Sequence, residues 1–450
     1  MGKVTQLLAH PTELKAALQS KFFRKSMYPI DVNSQSETEK TCYKLLKKTS
    51  RSFCAVIMEL NPELRNAIMI FYLVLRALDT IEDDMTISPD VKVPILREFD
   101  SYLLTKDWTF NGSGPNEKDR IVLVQFDVIL AEYHKLKPEY QDVIKDITFK
   151  MGNGMADYIS NEEFNLNGVK TVADYDLYCH YVAGLVGEGL TKLTVAAEFG
   201  PASLIDDMHL SESMGLFLQK TNIIRDYKED MDDGRSFWPE EIWSKHTEKL
   251  SNFTKPEYLQ DGLNCTSDLV LNVLEHVKDV LIYLSQIYDN STFNFCAIPQ
   301  VMAIATLSAV FQNPLVFKQN VKIRKGETCK LILESRTYAG VLNIFSKYLK
   351  TIHHKCPVSD PNYLRIGIKC GELEQFLEEL NPNPSHIPKG AKPMQTVYYL
   401  NAKKKLELDQ SIVPILKKEY STINTVLSLF GCSFIFFLIF AYDFAKNSAV

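Results

Sequence analysis

Two pairs of carboxylates have a spacing that could do chemistry. In Asp79-Thr80-Ile81-Glu82-Asp83-Asp84 four acids fall within six residues, directly after the apolar run "IMIFYLVLRAL". Asp79 and Asp83 are four apart, so on a helix they project from one face a turn apart, with Glu82 beside them at i+3. Like charges so placed repel unless a cation sits between them. Their oxygens suit Mg2+, a hard ion that usually completes its shell with waters and substrate phosphates. Taken alone, the cluster reads equally well as a solvated helix end, and Asp84 is expected only to face water. The stretch "LQKTNIIRDYKEDMDDGR" (218–235) shifts that balance. Asp226 and Asp230 repeat the spacing at the end of a second apolar helix, with Gln219 and Asn222 on neighbouring turns as neutral partners. Two acidic pairs on two helices can face each other across a bundle core and hold bridging metal ions.

Basic residues accompany both pairs. Arg76 lies three before Asp79, Arg225 directly precedes Asp226, and Arg51 sits in "TSRSF" between Ser50 and Ser52. The guanidinium fork meets phosphate oxygens bidentately, so Mg2+ with arginines describes a diphosphate clamp. Any one of these arginines could equally do no more than neutralise its carboxylate neighbour. Next, "YDLYCHYVAGLVGEGL" (175–190) sets Tyr175, Tyr178, His180 and Tyr181 beside Ala183, Gly184, Gly187 and Gly189. Glycine costs about 1 kcal/mol in a helix interior. The run therefore implies close approach of backbone and ligand, a helix broken to admit a long apolar chain, or tight helix packing. A short cationic loop, "NVKIRKGET" (320–328), carries Lys322, Arg324 and Lys325.

These residues need helices to position them. Helical periodicity runs over roughly 40–80, 120–158, 172–198, 208–231, 268–288, 297–312 and 327–350, with little strand-like alternation. Pro/Gly/Asn-rich stretches at 109–119, 231–241 and 381–393 read as loops. The expected fold is a single large all-α domain over residues 1–355. Residues 356–420 read as a Pro-rich, then charged tether. The uncharged run 422–442, "TINTVLSLFGCSFIFFLIFAY", has the length of a membrane-spanning helix; it sets an expected anchor at 421–443 and leaves a short tail at 444–450. Lys417 and Lys418 before it place the bulk of the chain on the cytoplasmic side.

Composition agrees with a folded protein: 46% of the 450 residues are hydrophobic and 24% charged. The net charge of −6 gives no hint of nucleic-acid binding, so any polyanionic substrate must meet local basic residues. Nine cysteines form no C-x-x-C pair, which fits a reducing compartment, and the sequons at Asn111, Asn252, Asn264 and Asn290 follow no leader-like N-terminus. No G-x-G-x-x-G follows a strand-like run, so a Rossmann domain is not expected.

Together "TSRSF", "DTIEDD", "YCHYVAGLVG", "QKTNIIRDYKED" and "FNFCAIPQVMAIATL" resemble the squalene synthases (farnesyl-diphosphate farnesyltransferases), of eukaryotic and fungal type, over about residues 35–350. The resemblance implies an isoprenoid-synthase-like helical domain around a central cavity. It further implies condensation of two farnesyl diphosphates to presqualene diphosphate, followed by NADPH-dependent reduction to squalene. On this reading Asp79, Glu82, Asp83, Asp226 and Asp230 carry Mg2+. Arg51, Ser52, Phe53, Tyr72, Arg76, Gln219, Asn222 and Arg225 bind substrate. Tyr178 accepts a proton as the cyclopropane closes, with Tyr175 and Tyr181 as rivals on sequence grounds, and Phe53 and Phe295 line the pocket, where ring faces stabilise carbocations. Arg51, Arg76, Arg225, Lys322 and Arg324 are the implied NADPH contacts. The C-terminal anchor also matches the eukaryotic family and implies the endoplasmic reticulum membrane; separately, a monomer is expected. Two other functions compete: a non-reducing coupler of the phytoene or dehydrosqualene type, insensitive to NADPH, and an inactive membrane-tethered scaffold, which would not need paired carboxylates.

Overall fold

The computed structural model describes residues 10–24, 26–161, 168–386 and 394–426, with backbone alone at Val32, Arg51 and Ser52. Every regular element among the described residues is helical. The N-terminal half contains α1 (Pro11–Phe22), α2 (Glu37–Thr49), α3 (Arg51–Ile57), α4 (Pro62–Asp83), α5 (Pro89–Tyr102) and α6 (Pro138–Ser160). The site-bearing middle contains α7 (Val172–Cys179), α8 (Leu185–Ala196), α9 (Met208–Arg225), α10 (Tyr227–Asp232), α11 (Leu259–Leu274), α12 (Val277–Leu284) and α13 (Asn290–Val310). Then come α14 (Lys325–Glu334), α15 (Tyr338–Lys355), α16 (Tyr363–Leu380) and α17 (Val397–Asp409).

The first acidic pair owes its place to α4. Asn61 caps the helix by accepting from the Glu63 amide, Pro62 sets the first turn, and Leu64, Ala67, Ile68, Phe71, Leu75 and Leu78 are buried. An apolar helix that packs on α2, α6 and α8 must bring whatever follows its last buried turn to the edge of the core. The second pair follows the end of α9, with Asp226 at its C-terminal cap and Asp230 in α10; α9 is the hub of the bundle and packs against α7, α8, α11, α12 and α13.

The glycine-rich run is where helical regularity changes. His180–Gly184 forms a π-helical turn between α7 and α8. A side chain at Gly187 would meet the Ser211 carbonyl oxygen at 2.4 Å, and one at Gly215 the Ala183 carbonyl oxygen at 2.5 Å. Of the readings of the glycines, tight helix packing is the one seen, since backbones of facing helices touch; the run also departs from α geometry at the π-turn.

Residues 356–380, expected within a tether, instead pack on the domain. Ile366, Cys370, Leu373, Phe376, Leu377 and Leu380 form the buried stripe of α16 against α11 and α15. Their spacing is helical, but the intervening Arg, Lys and Glu residues mask it in the sequence. Among the described residues one helix, Asn290–Val310, is long and apolar enough to cross a membrane, yet 78% of that window is buried inside the protein, so it is a core helix. The chain is helical again over 413–426. Residues 427–443 of the expected membrane helix lie outside the described residues.

Candidate active site

α3, α4, α8, α9 and α13 enclose a cavity of about 360 Å³. Its walls are largely apolar, including Phe53, Phe71, Leu75, Val186, Leu218 and Phe295. Polar groups gather towards one end: Tyr72, Arg76 and Asp79 from α4, and Gln219 and Asn222 from α9. The volume lies in the range of about 300–1,000 Å³ usual for small-molecule sites. An apolar chamber with an ionic rim suits an amphiphile whose charged head stays at the rim.

Arg76 Nη1 lies 3.6 Å from Asp79 Oδ2, and its Nε lies 3.9 Å from Asp119 Oδ2. The Tyr72 hydroxyl accepts from Arg76 at 3.4 Å, and the ring of Tyr72 meets Phe53 at 5.7 Å. On the other wall Arg225 makes a bidentate pair with Asp226, at 2.8 and 2.5 Å. Here α9 gives way to α10: Asp226 has φ −92° and ψ 8°, yet its amide still donates to the Asn222 carbonyl and its own carbonyl accepts from Asp230. The acidic spacing thus survives the change of helix.

The two walls converge on a residue that sequence reading missed. Arg235 Nη2 is 3.4 Å from Asp230 Oδ1, and its Nη1 is 4.0 Å from Asp83 Oδ1. One guanidinium therefore spans from the first acidic pair to the second. It also lies over Phe237, which stacks on Tyr178 at 4.9 Å. Position alone hinted at it, as a basic residue in the loop directly after the second pair. Asp119 and Asn320 were missed for a similar reason: Asn320 donates to Asp226 and Glu229 from a distant loop.

Burial raises the Asp79 carboxyl to about 6 although Arg76 pulls the other way, and Asp83 and Asp119 add to the rise. Burial likewise raises Asp230 to about 6 against the pull of Arg235. Glu82 is raised by burial and then by Asp83 and Asp79. Half-buried carboxylates set beside one another, which Arg76, Arg225 and Arg235 do not fully neutralise, are what a multivalent cation would relieve. Among the described residues no three His, Cys, Asp or Glu side chains converge tightly enough to bind an ion alone. The donor set fits Mg2+ shared between carboxylates and a phosphate ligand better than a closed protein site.

Asp84 corrects the expectation that it faces water. It is 3% exposed and accepts from Ser113 Oγ at 2.6 Å, Gly114 N at 2.8 Å, and Thr86 through both amide and hydroxyl. Burial opposes the charge, but these donors outweigh it and hold the carboxyl well below the usual range. Its task is to tie the 113–114 loop to the end of α4.

The three tyrosines separate clearly. Tyr175 is buried beside Lys220, and Tyr181 faces a second hollow beside Tyr158 and Leu177. Tyr178 packs edge-on against Tyr158 and stacks on Phe237. Burial and then Glu82 raise its hydroxyl well above the ordinary range, while Arg235 acts in the opposite direction. Of the three it alone lies within the field of the acidic mouth. In the cationic loop Lys322 is exposed, whereas Arg324 is held by Glu13 of α1, at 2.6 Å, and by Glu327 at 3.2 Å. Arg51 and Ser52 open α3 beside the cavity, but their side chains are outside the described set.

The profile of the squalene/phytoene synthase family matches residues 46–327. Squalene synthase ERG9 of Candida albicans is 58% identical over 98% of this chain and 100% of its own. The corresponding protein of Saccharomyces cerevisiae is 56% identical over 95% of this chain and 96% of its own. A solved complex of TcSQS with the ligand BPH1237 superimposes with a TM-score of 0.72 at 42% identity, covering 76% of this chain and 99% of that one.

Proposed function

The chain belongs to the squalene/phytoene synthase family, and from that premise we propose how its residues divide the work of joining two farnesyl diphosphates into squalene. The observation that carries the proposal is the pair of acidic walls bridged by Arg235 at the mouth of an apolar cavity. Asp79, Glu82 and Asp83 on one side, and Asp226 and Asp230 on the other, would hold Mg2+, which supplies Lewis-acid stabilisation of departing diphosphate. Arg76, Arg225 and Arg235, with Arg51, meet phosphate oxygens as the C–O bond breaks. Gln219, Asn222, Ser52 and Tyr72 orient the head group.

The farnesyl chains lie in the chamber. Phe53 and Phe295 present aromatic surface to cationic carbon, worth about 0.5–2 kcal/mol per ring, and the dry walls keep water from trapping it. Tyr178 accepts the proton lost as the cyclopropane of presqualene diphosphate closes. With its hydroxyl raised, Tyr178 stays neutral, so it would take up that proton only as its own phenolic proton passes to an oxygen of the released diphosphate. In the second half-reaction the remaining diphosphate leaves from the same mouth.

Bound NADPH would supply the hydride for that second half-reaction. Lys322 is placed on an exposed loop two residues from Asn320, which touches Asp226 and Glu229, so cofactor phosphates bound there would lie next to the second acidic wall. Arg324 would join only by leaving Glu13. The product is a hydrocarbon, and residues 421–443 would anchor a monomeric domain to the endoplasmic reticulum membrane, sparing the product exposure to water at about 25 cal/mol per Å².

The purified full chain in detergent, given farnesyl diphosphate, Mg2+ and NADPH, should release squalene and diphosphate. Without NADPH it should accumulate presqualene diphosphate. A C30 product indifferent to NADPH would favour the non-reducing reading, and no product would exclude both.

A further inference from the structure

Lys220 lies on α9, one residue from Gln219 and two from Asn222, yet it points away from the cavity and is 1% exposed. Its ammonium forms an ion pair with Asp176 Oδ1 at 2.6 Å. It also donates to Asn272 Oδ1 at 2.7 Å and to His276 Nε2 at 3.0 Å. A buried ammonium with two hydrogen bonds and one close ion pair is held in place, although Asp176 Oδ1 itself has no hydrogen bond. Because His276 accepts at Nε2, its proton resides on Nδ1, which faces Ser213 Oγ at 3.3 Å. Ser213 in turn donates to Asp279 at 2.8 Å. A continuous polar chain therefore crosses four helices: α7 through Asp176, α9 through Lys220 and Ser213, α11 through Asn272, and α12 through Asp279, with His276 between the last two.

All of these contacts join helices that also pack together. The contact to Asp176 has a further consequence, because α7 is the short helix that carries Tyr178 and is followed by the π-turn. Tyr175 adds to the same lock: its ring sits 5.4 Å from the Lys220 ammonium, and its hydroxyl reaches the Lys220 carbonyl at 3.5 Å. A helix of eight residues beside a π-turn has little regular structure to hold it in register.

We propose that Lys220 is a positioning residue for the first half-reaction: through Asp176 it sets α7, and with it Tyr178, against the segment of α9 that ends in Arg225 and Asp226. The inference rests on the role given to Tyr178 above, so its signature is a split between half-reactions. Misplacing the proton acceptor slows cyclopropane formation. It leaves reduction of supplied presqualene diphosphate unchanged, since that step needs no proton acceptor at Tyr178.

The test compares wild type, Lys220→Met, Asp176→Asn and Tyr178→Phe as full chains, assaying the two half-reactions separately and checking cooperative thermal unfolding. The expected result is at least a tenfold lower kcat for presqualene diphosphate formation in both K220M and D176N, with reduction within twofold of wild type. The double variant should be no worse than the more impaired single one. Equal loss in both half-reactions, or first-step turnover within twofold of wild type, would overturn the proposal. Asp176 keeps 44% of its side chain exposed, so D176N carries the same test should K220M fail to fold. Y178F makes the failures distinguishable: an intact first step in Y178F removes the premise, whereas a lost first step in Y178F with an intact one in D176N removes only the role of Lys220.

Discussion

Asp84 and Asp83 are adjacent carboxylates with opposite tasks, and the difference lies in what surrounds each oxygen. Asp83 is more than half exposed at the mouth, within reach of Arg235, whereas every Asp84 donor comes from the protein itself. Hydrogen bonds to a buried charge stabilise the fold, so Asp84→Asn should cost about 1–3 kcal/mol in urea unfolding. The folded-state acidity of Asp84 is stronger than that of an unfolded aspartate, near 4. Its contribution is therefore complete above that value and is lost as pH falls further towards the folded pKa. The gap between wild type and D84N should be constant from about pH 7 to 5 and close progressively below about pH 4. A gap that does not change in acid would show that the charge of Asp84 is not what holds the loop. Asp84 also marks a limit of sequence reading at this scale. The i,i+4 spacing of Asp79 and Asp83 is visible in one dimension, but the Ser113 and Gly114 donors lie about thirty residues on, in a stretch that reads only as a turn.

At the scale of elements, the π-turn and α9 are in backbone contact. A Cβ on Gly215 would sit 2.5 Å from the Ala183 carbonyl oxygen and 2.7 Å from the Gly184 amide nitrogen, neither of which can swing aside as a side chain could. Gly215→Ala should destabilise the domain by about 1–3 kcal/mol through overpacking. It should also lower the yield of the condensation, since the π-turn starts two residues after Tyr178; wild-type stability in G215A would show that the two helices can separate at no cost. α1 has a different part. Glu13 engages Arg324 through both Nε and Nη2, so it competes for the guanidinium with any cofactor phosphate. Glu13→Gln should tighten NADPH binding severalfold in a fluorescence titration, and unchanged affinity would remove Arg324 from the cofactor site. Two helices of the cavity were legible for different reasons: α4 carries a long apolar stripe, and α13 is an uncharged, largely apolar run buried on nearly every face. α16 was not, because Ile366, Cys370, Leu373 and Phe376 alternate with charged residues that suggested a solvated tether. Arg235 was hidden because a loop residue has no periodicity by which to predict where it will reach.

For the molecule as a whole, charge is kept at one end of the cavity and hydrocarbon surface along the rest. A core of buried apolar helices holds the two acidic walls close enough for Arg235 to bridge them, and that distance is a property of the bundle rather than of either motif. The two walls should therefore act as one site, with neither sufficient alone. Calorimetric titration of Mg2+ into the full chain, with and without inorganic diphosphate, tests this most directly across wild type, Asp79→Asn and Asp230→Asn. Mg2+ and diphosphate should bind cooperatively to wild type, and either substitution, on opposite walls, should abolish the coupling. Coupled binding that survives in one variant at wild-type strength would contradict the account, placing the metal and diphosphate on a single wall.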